Sequence, residues 1–335
     1  LSTLHAGGCT PGRPFVNADR NHRQHREDKS RIMNKASRQL ILRLLVFLPK
    51  PQHIAIDRWL RGRQEFQKLS QADGVVVSHG KSGRTWLRVM LSRFYQQQHG
   101  LPEPQMLEFD NLHRQNPLIP KIFFTHDNVL TDYTRSGETK SYLYDKPVLL
   151  LIRHPADVTV SQFFQWKHRM SQRKIELNHL PDRARDISIF EFVADQLPRT
   201  IAFLNTWAKE IPRMRHILVV RYEDMRQHAE LALTHALAFM GTPGTEEQIK
   251  EAVAFASYEN MRKLEETGAF GGKKLAPGEK GNPDSYKVRR AKVGGYRDYF
   301  NDQELAVLDE MMRLGLSSQY REMEEQARAV LTSPS

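Results

Sequence analysis

A short turn between an apolar strand and an amphipathic helix combines several groups that can bind an anion. Residues 80–85 read Gly-Lys-Ser-Gly-Arg-Thr, with two glycines, two cations and two hydroxyls. Glycine lets the backbone approach a ligand closely, and the first N–H groups of a helix have no partner within it. The turn is therefore predicted to bind an anion. The alternative is an ordinary strand-to-helix turn with Lys81 and Arg84 in solvent.

The spacing of the glycines bears on which anion the turn would bind. A P-loop for ATP or GTP has the pattern G-x-x-x-x-G-K-[ST], but Val75 stands where its first glycine belongs. Gly74 is one position too far away. The shorter turn offers fewer N–H groups for a β,γ-diphosphate, so a smaller anionic group is predicted.

The turn belongs to a series of strands that alternate with helices. The predicted strands are 74–78, 121–126, 147–152 and 216–220. The alternation predicts an α/β fold, a single three-layer domain with a central, mostly parallel sheet flanked by helices. Such sheets bind ligands at the carboxyl ends of their strands. We therefore expect the turn, His126, Arg153 and Tyr222 to share one edge of the sheet.

Charge and cysteine content narrow the class of protein. The 335 residues carry a formal net charge of +11, of which residues 1–38 contribute +5 and residues 268–297 contribute +6. A nucleic-acid-binding surface spreads Lys and Arg along a stripe with aromatic residues between them. Binding of a small anion therefore explains the positive charge of residues 268–297 better than binding of a nucleic acid does. Cys9 is the single cysteine, which excludes an internal disulfide and a zinc cluster of cysteines. A cytoplasmic, reducing location is expected.

Composition and periodicity divide the chain into four parts. They are a disordered basic tail (1–32), N-terminal helices packed on the domain (33–72), the α/β domain (73–320) and a C-terminal tail (321–335). No run of about 20 apolar residues occurs, so no transmembrane helix is predicted. Residues 40–48 are apolar except for Arg43. A helix docked on the domain is favoured there over weak association with a membrane surface.

Four motifs, in the expected order, resemble those of the sulfotransferases that use 3′-phosphoadenosine 5′-phosphosulfate (PAPS). Residues 81–86, Lys-Ser-Gly-Arg-Thr-Trp, are similar to the family's 5′-phosphosulfate loop, P-K-S-G-T-T-W. Residues 153–161 resemble its 3′-phosphate motif, in which an Arg at a strand end and a Ser eight residues later grip the phosphate. Residues 220–225 resemble its tyrosine strand, and residues 289–300 resemble its late R-K-G box. The resemblance implies the P-loop-NTPase-like sulfotransferase fold.

The resemblance implies a donor site with two anion-binding ends. Lys81 would neutralise charge on the bridging and sulfonate oxygens of PAPS, while N–H groups of residues 82–85 hold the 5′-phosphate. Trp86 and Tyr222 would contact adenine, or else be ordinary core aromatics. PAPS is the expected co-substrate, and no metal is expected. The implied donor-binding residues are Lys81, Ser82, Gly83, Arg84, Thr85, Trp86, Arg153, Ser161, Tyr222, Arg289 and Arg290.

Transfer of a sulfuryl group also needs a base that takes the acceptor's proton. His126 matches the histidine of the family's K-T-H-L-P motif, and a histidine has a suitable intrinsic pKa. The resemblance therefore implies that His126 and Lys81 are the catalytic residues. Asp127 is a rival base or an orienter of His126. Phe124 stands where the motif has a lysine, and Arg84 would partly compensate for that missing cation.

These features predict an enzyme that moves a sulfuryl group from PAPS to a hydroxyl of a small-molecule, lipid or carbohydrate acceptor and releases 3′,5′-ADP. Two other functions stay open: a P-loop phosphotransferase that uses ATP, and a non-enzymatic nucleic-acid-binding protein that uses the basic tail. The third strand ends in Arg153 rather than in an aspartate that would arrange Mg²⁺, which disfavours the phosphotransferase. The acceptor class and the oligomeric state have no recognisable signature in the sequence.

Overall fold

Four parallel strands form the central sheet of the part of the chain that the structure describes, which is Met33 and residues 35–102, 104–271 and 275–332. In this computed structural model the strands are β1 (Gly74–Ser78), β2 (Ile122–Thr125), β3 (Pro147–Ile152) and β4 (His216–Arg221). Their order in the sheet is β2-β1-β3-β4. From β1 the chain first adds β2 on one side and then adds β3 and β4 on the other side. The direction of the connections reverses between β1 and β3, and ligands bind at the carboxyl ends of strands at such a switch point. The disordered tail predicted over 1–32 lies outside the described residues.

Side chains that alternate along the strands build a core on each face of the sheet. Val76 and Leu149 belong to one core, and Val75 and Val77 belong to the other. The register places Val76 opposite both Phe124 and Leu149. Every residue of β1 is buried, as expected for a β-branched strand covered on both faces.

Helices cover both faces of the sheet. Within the described residues they are α1 (Lys35–Leu44), α2 (Lys50–Gln71), α3 (Arg84–His99), α4 (Leu130–Thr134), α5 (Pro155–His168), α6 (Gln172–Leu177), α7 (Ile189–Glu210), α8 (Tyr222–Gln227), α9 (Ala229–Phe239), α10 (Glu246–Phe255), α11 (Tyr258–Thr267), α12 (Asp302–Gly315) and α13 (Ser318–Thr332). Helices α3, α9 and α10 complete the core around Val76, and α2, α7 and α13 complete the core around Val77. The predicted three-layer α/β arrangement is confirmed.

The C-terminal boundary of the folded part differs from the predicted one. The sequence separates residues 321–335 as a tail, but α13 continues to Thr332. Glu324 of this helix pairs with Arg221 at the end of β4, at 3.1 Å. The apolar stripe of the helix gives a weak signal in the sequence because it holds few large aliphatic side chains. Its buried members are Tyr320, Met323 and Ala327.

The segment 40–48 covers the end of α1 and the turn into α2. Leu42 is buried, so one side of the segment is shielded from solvent. The rest of its apolar surface is open to solvent: Leu40 is 59% exposed, Leu44 68%, Val46 77% and Phe47 76%. Among the described residues, no helix has both the length and the apolar character needed to cross a bilayer.

One buried carboxylate connects the N-terminal helices to the rest of the domain. Asp57 of α2 is fully buried. It lies 3.0 Å from Arg61 one turn further on, 3.5 Å from Arg38 of α1 and 2.6 Å from Arg173 of α6. Burial by itself would raise the pKa of Asp57, but the hydrogen bonds and charges of Arg173 and Arg61 hold it below its ordinary value. Three helices therefore depend on one ionised side chain.

Replacing Asp57 with Asn keeps the shape of the side chain and removes its charge. We expect the free energy of unfolding at neutral pH to fall by about 3 kcal/mol, because breaking a buried ion pair leaves uncompensated charge. The depressed pKa means that this contribution is present above the unfolded-state pKa of Asp57 and is lost as the pH falls through its folded-state pKa. Urea denaturation over a range of pH should therefore show wild type and variant converging in acid.

The matched control is Glu246→Gln. Glu246 and Lys250 form an ion pair in which the two side chains are 73% and 56% exposed. Exposed pairs of this kind contribute little, so we expect a change of less than about 0.5 kcal/mol. An equally small effect of Asp57→Asn would show that the cluster does not hold the helices together.

Candidate active site

A cavity of about 710 Å³ opens where the carboxyl ends of the strands meet. The turn over residues 80–86 follows β1, His126 follows β2, Arg153 follows β3 and Tyr222 follows β4, and all four regions line this cavity. Parallel α/β sheets bind their ligands at this edge. The residues expected at separate strand ends therefore meet in one place.

The end of the turn after β1 requires glycine. Gly83 has a φ of +91°, and a Cβ placed there would lie 2.5 Å from Cδ2 of Tyr222. Helix α3 begins at the next residue without a side-chain cap, so its first N–H groups are available to a ligand. Ser82 is buried, and its Oγ has no hydrogen-bond partner. The first N–H groups of α3 are thus unused donors of the kind that an anion needs.

Lys81 lies in a positively charged part of the cavity wall. Its backbone adopts a φ of +75°, and its carbonyl accepts a hydrogen bond from Nη1 of Arg153 at 3.1 Å. Burial lowers the pKa of Lys81 well below its ordinary value, and the charges of Arg169, Lys287 and Arg153 lower it further. A bound anion would offset both causes.

Arg153, just before α5, and Ser161 of α5 line a second part of the cavity. The guanidinium of Arg153 lies over the ring of Tyr222, 4.2 Å from its centre, and donates to the carbonyl of Lys292 at 3.3 Å. Its Nε is buried without a hydrogen-bond partner. Ser161 lines the same cavity about two helical turns further on. A fixed guanidinium with an unused donor is suited to a phosphate.

Asp157 positions the late glycine-containing segment against α5. Its carboxylate accepts hydrogen bonds from the backbone N–H groups of Gly294 at 2.8 Å and Tyr296 at 2.9 Å. The ring of Tyr296 stacks on that of His154, with centres 4.9 Å apart. This anchoring keeps the late segment beside Arg153.

Arg289 and Arg290 belong to the same late segment and line the cavity. Both donate to the hydroxyl of Tyr299. The guanidinium of Arg289 also lies over the ring of Phe164, and Arg290 also pairs with Asp298. Aromatic and acidic neighbours therefore hold both predicted residues at the cavity wall.

His126 has both ring nitrogens engaged. Nε2 lies 2.7 Å from Nη2 of Arg84, and Nδ1 lies 2.8 Å from the carbonyl oxygen of Ser78. Because a guanidinium can only donate, Nε2 accepts, and the ring proton therefore sits on Nδ1 and is donated to Ser78. Burial lowers the pKa of His126 well below its ordinary value, and the charge of Arg84 lowers it further. The histidine is thus a neutral base whose lone pair is occupied by Arg84.

The side chain of Asp127, next to His126, makes its contacts outside the cavity. Asp127 is buried, with a φ of +56°, and does not line the cavity. Its carboxylate lies 2.9 Å from Nζ of Lys140 and accepts a hydrogen bond from the hydroxyl of Tyr142 at 2.6 Å. These contacts favour His126 over Asp127 as the base.

The sequence of the chain matches a known protein family over most of its length. A family model described as a sulfotransferase domain matches residues 71–326 of the chain. The chain belongs to this sulfotransferase family. The predicted family, fold and enzyme class, a PAPS-dependent sulfotransferase, are confirmed.

Individual relatives are distant. The flavonol 4′-sulfotransferase of Flaveria chlorifolia is 24% identical over 280 residues, which cover 78% of this chain and 84% of that protein. Cytosolic sulfotransferase 14 of Arabidopsis thaliana is 25% identical over 227 residues, and these cover 61% of this chain and 64% of that protein. Among solved structures, mouse sulfotransferase SULT7A1 complexed with PAP has a TM-score of 0.49 at 16% identity and covers 77% of this chain and 89% of that one.

The sulfotransferase cavity brings together nearly all of the residues that the sequence singled out. Ser82 is the exception, because it is buried outside the lining. The role of each residue stays a prediction. In the part of the chain that the structure describes, no group of three or more His, Cys, Asp or Glu side chains is arranged to hold a metal ion. The predicted residues that line the cavity are Lys81, Gly83, Arg84, Thr85, Trp86, His126, Arg153, Ser161, Tyr222, Arg289 and Arg290.

The lining also includes residues outside the predicted set of site residues, among them Lys287, Arg169 and Tyr258. Lys287 stands two residues before Arg289, so the basic run of the late segment could have indicated it. Arg169 and Tyr258 also line the cavity, but neither lies in a motif. They reach the site through long-range packing, for which the local sequence offers no signal.

The state of His126 can be tested by replacing Arg84 with Leu. We expect wild-type His126 to stay neutral at about pH 6.5, the ordinary pKa of a histidine, with its proton on Nδ1. The variant should raise the pKa of His126, since one of the two main causes of the shift is removed while burial remains. Long-range ¹H–¹⁵N NMR measures both the tautomer and the pKa.

Arg114→Leu is the control for this titration, because the Arg114 side chain is 70% exposed and does not line the cavity. It should leave the His126 signals unchanged. Titration of wild-type His126 at the ordinary pKa, or an Nε2-protonated ring, would contradict the hydrogen-bond arrangement.

Proposed function

We propose that the protein transfers the sulfuryl group of PAPS to a hydroxyl of a small-molecule acceptor and that the cavity at the strand ends binds both substrates. The observation that carries the proposal is the presence of two cationic regions in one cavity. Lys81 belongs to the turn after β1 and Arg153 to the end of β3, and a hydrogen bond joins them. A donor with a phosphosulfate at one end and a ribose phosphate at the other needs such a pair of sites.

The donor would bind across the switch point between β1 and β3. The uncapped start of α3 and Lys81 would hold the phosphosulfate end, because N–H groups and an ammonium stabilise anionic oxygens. Arg153, with Ser161 and the late-segment residues Arg289 and Arg290, would hold the 3′-phosphate. PAPS supplies the activated sulfuryl group when it is bound.

His126 would accept the proton of the acceptor hydroxyl at Nε2. The hydroxyl oxygen bonds to sulfur as the bond from sulfur to the bridging phosphate oxygen breaks, and 3′,5′-ADP leaves. Lys81 would offset the negative charge that grows on that oxygen. Arg84 must release Nε2 first, because its hydrogen bond occupies the lone pair. We propose no metal for this step, since Arg153 follows β3 at the position where a Mg²⁺-nucleotide site uses an aspartate.

A small hydroxyl-bearing molecule is the acceptor that we propose. Relatives with names such as flavonol 4′-sulfotransferase and cytosolic sulfotransferase 14 support this class and a cytosolic location. A cavity of about 710 Å³ lies within the range of small-molecule sites.

Two variants separate donor binding from catalysis. Arg153→Gln should weaken binding of 3′,5′-ADP about tenfold or more, because a hydrogen-bonded charge partner of the phosphate is lost. His126→Ala should leave that binding unchanged and lower kcat by about a hundredfold, the usual loss when a general base is removed. Calorimetry with 3′,5′-ADP and transfer from ³⁵S-labelled PAPS to a panel of phenols measure the two effects.

Arg297→Gln is the control, since Arg297 is in the late segment but its side chain is 55% exposed and outside the cavity lining. Thermal stabilisation by Mg·ATP and not by 3′,5′-ADP would rule out the proposed donor. Full activity of His126→Ala together with inactivity of Asp127→Asn would assign the base to Asp127.

We also propose weak association of residues 40–48 with an anionic membrane surface. The exposed apolar side chains of this segment are joined by Arg43, and residues 35–56 contain no acidic side chain, whereas Lys50 is paired with Glu176. Apolar residues beside positive charge suit the surface of a bilayer that contains acidic lipids.

This association predicts the behaviour of Val46→Ser/Phe47→Ser. Wild-type protein should co-sediment with phosphatidylserine-containing vesicles and not with pure phosphatidylcholine vesicles, and the double variant should lose most of this binding because Val46 and Phe47 are 77% and 76% exposed. Leu118→Ser is the control, since Leu118 is 76% exposed outside this segment. Undiminished binding of the double variant would exclude the segment as the contact.

A further inference from the structure

Two arginines of α3 lie on the side of the cavity nearest β2. Arg84 and Arg88 are one helical turn apart on one face of α3, and both line the cavity. Arg84 contacts His126, and the guanidinium of Arg88 lies 4.7 Å from the ring centre of Phe124 in β2. Arg153 follows β3, which lies on the opposite side of β1. The pair is therefore separated from the region assigned to the 3′-phosphate.

Neither guanidinium is neutralised by an ion pair within the part of the chain that the structure describes. Arg84 uses Nη2 to contact His126, while its Nη1 is buried without a hydrogen-bond partner. Arg88 donates through Nε to the carbonyl of Leu107, and among the described residues its terminal nitrogens make no further hydrogen bond. Burying unpaired cations is costly unless a ligand supplies the opposite charge.

The acids that face the pair do not remove this excess of positive charge. Burial lowers the pKa of Arg84 and of Arg88 to about 10 each, and the repulsion by Arg88 adds to the shift of Arg84. Glu65 faces Arg84, but burial raises the pKa of Glu65 and disfavours its charged form. The charge of Glu108 only partly offsets the effect of burial on the pKa of Arg88. The pair thus keeps an excess of positive charge that suits an anionic ligand.

The donor does not account for the two guanidinium groups, because Arg84, which was predicted to bind the donor, would contribute its backbone N–H at the uncapped start of α3. In the proposed function its phosphosulfate end binds Lys81 and the backbone of the turn, and its 3′-phosphate binds Arg153 and the late segment. The acceptor is the other ligand, and its hydroxyl must come close to His126. Arg84 contacts that same histidine, so an anionic group on the acceptor would lie within reach of the pair.

We propose that Arg84 and Arg88 bind an anionic group of the acceptor, such as a carboxylate or a phosphonate, carried on the same molecule as the attacking hydroxyl. This inference rests on the proposed function and names the class of its substrate. Guanidinium groups suit such oxyanions because their N–H donors match the spacing of the oxygens. The acceptor is then an acidic phenol or alcohol.

The subsite also bears on the base. An anion that draws Arg84 away from His126 frees the lone pair of Nε2, which then takes the hydroxyl proton as the oxygen bonds to sulfur. The electrons of the broken sulfur–oxygen bond leave with 3′,5′-ADP. Binding of the acceptor would in this way make Nε2 of His126 available as the base.

Two matched pairs of probes test the proposal. They are 4-hydroxyphenylacetate with its methyl ester, and 4-hydroxybenzylphosphonate with its diethyl ester. With wild-type protein and PAPS, we expect kcat/KM of an acid to exceed that of its ester by about tenfold or more, the effect of a charge-assisted hydrogen bond. Arg88→Met should remove most of that preference by lowering kcat/KM for the acid while leaving the ester within about twofold. Preference for the carboxylate over the phosphonate, or the reverse, identifies the kind of anion.

Binding of the same probes to the complex with 3′,5′-ADP, measured by calorimetry, tests the subsite without turnover. Arg114→Met is the control for both measurements, because Arg114 lies outside the cavity lining. Equal affinity and equal kcat/KM for acid and ester, or a preference that Arg88→Met leaves intact, would overturn the proposal while the proposed function stands. Failure to bind 3′,5′-ADP would instead overturn the proposed function, and this inference with it.

Discussion

The contact between Gly83 and the ring of Tyr222 is the constraint on which the layout of the site depends. A single added carbon at Gly83 would lie 2.5 Å from that ring. The ring also supports the guanidinium of Arg153, whose Nη1 holds the carbonyl of Lys81. One aromatic side chain after β4 thus fixes the turn after β1 against the arginine after β3. This packing sets the positions of Lys81 and Arg153 relative to each other, and these residues belong to the two proposed anion-binding regions.

Much of this arrangement follows from rules that apply to any parallel sheet. The strands could be predicted because short β-branched or aliphatic runs end in polar residues, and the shared edge follows from their parallel direction. Lys81, His126 and Arg153 are separated in sequence, yet this rule alone places them in one region. The positions of these residues could be predicted because they depend on the course of the backbone.

The parts that could not be predicted depend on where long side chains find their partners. The sequence suggested that Arg84 would compensate for the cation missing at Phe124, but it could not show that Arg84 occupies Nε2 of His126. It left Asp127 as a rival base, because the contacts with Lys140 and Tyr142 come from a segment without periodicity. Side-chain direction depends on tertiary packing, which local patterns do not encode.

The crowding of Lys81 and Lys287 in the cavity wall has a consequence for how the site responds to its surroundings. Burial and neighbouring cations depress the pKa of both lysines, to about 7 for Lys287. An arriving anion favours their charged forms, so its binding is accompanied by uptake of protons from solvent. Under the proposed function, affinity for an anionic ligand would therefore rise as the pH falls through about 7, where Lys287 becomes protonated. The protonation state of two lysines would then control how well the cavity holds an anion.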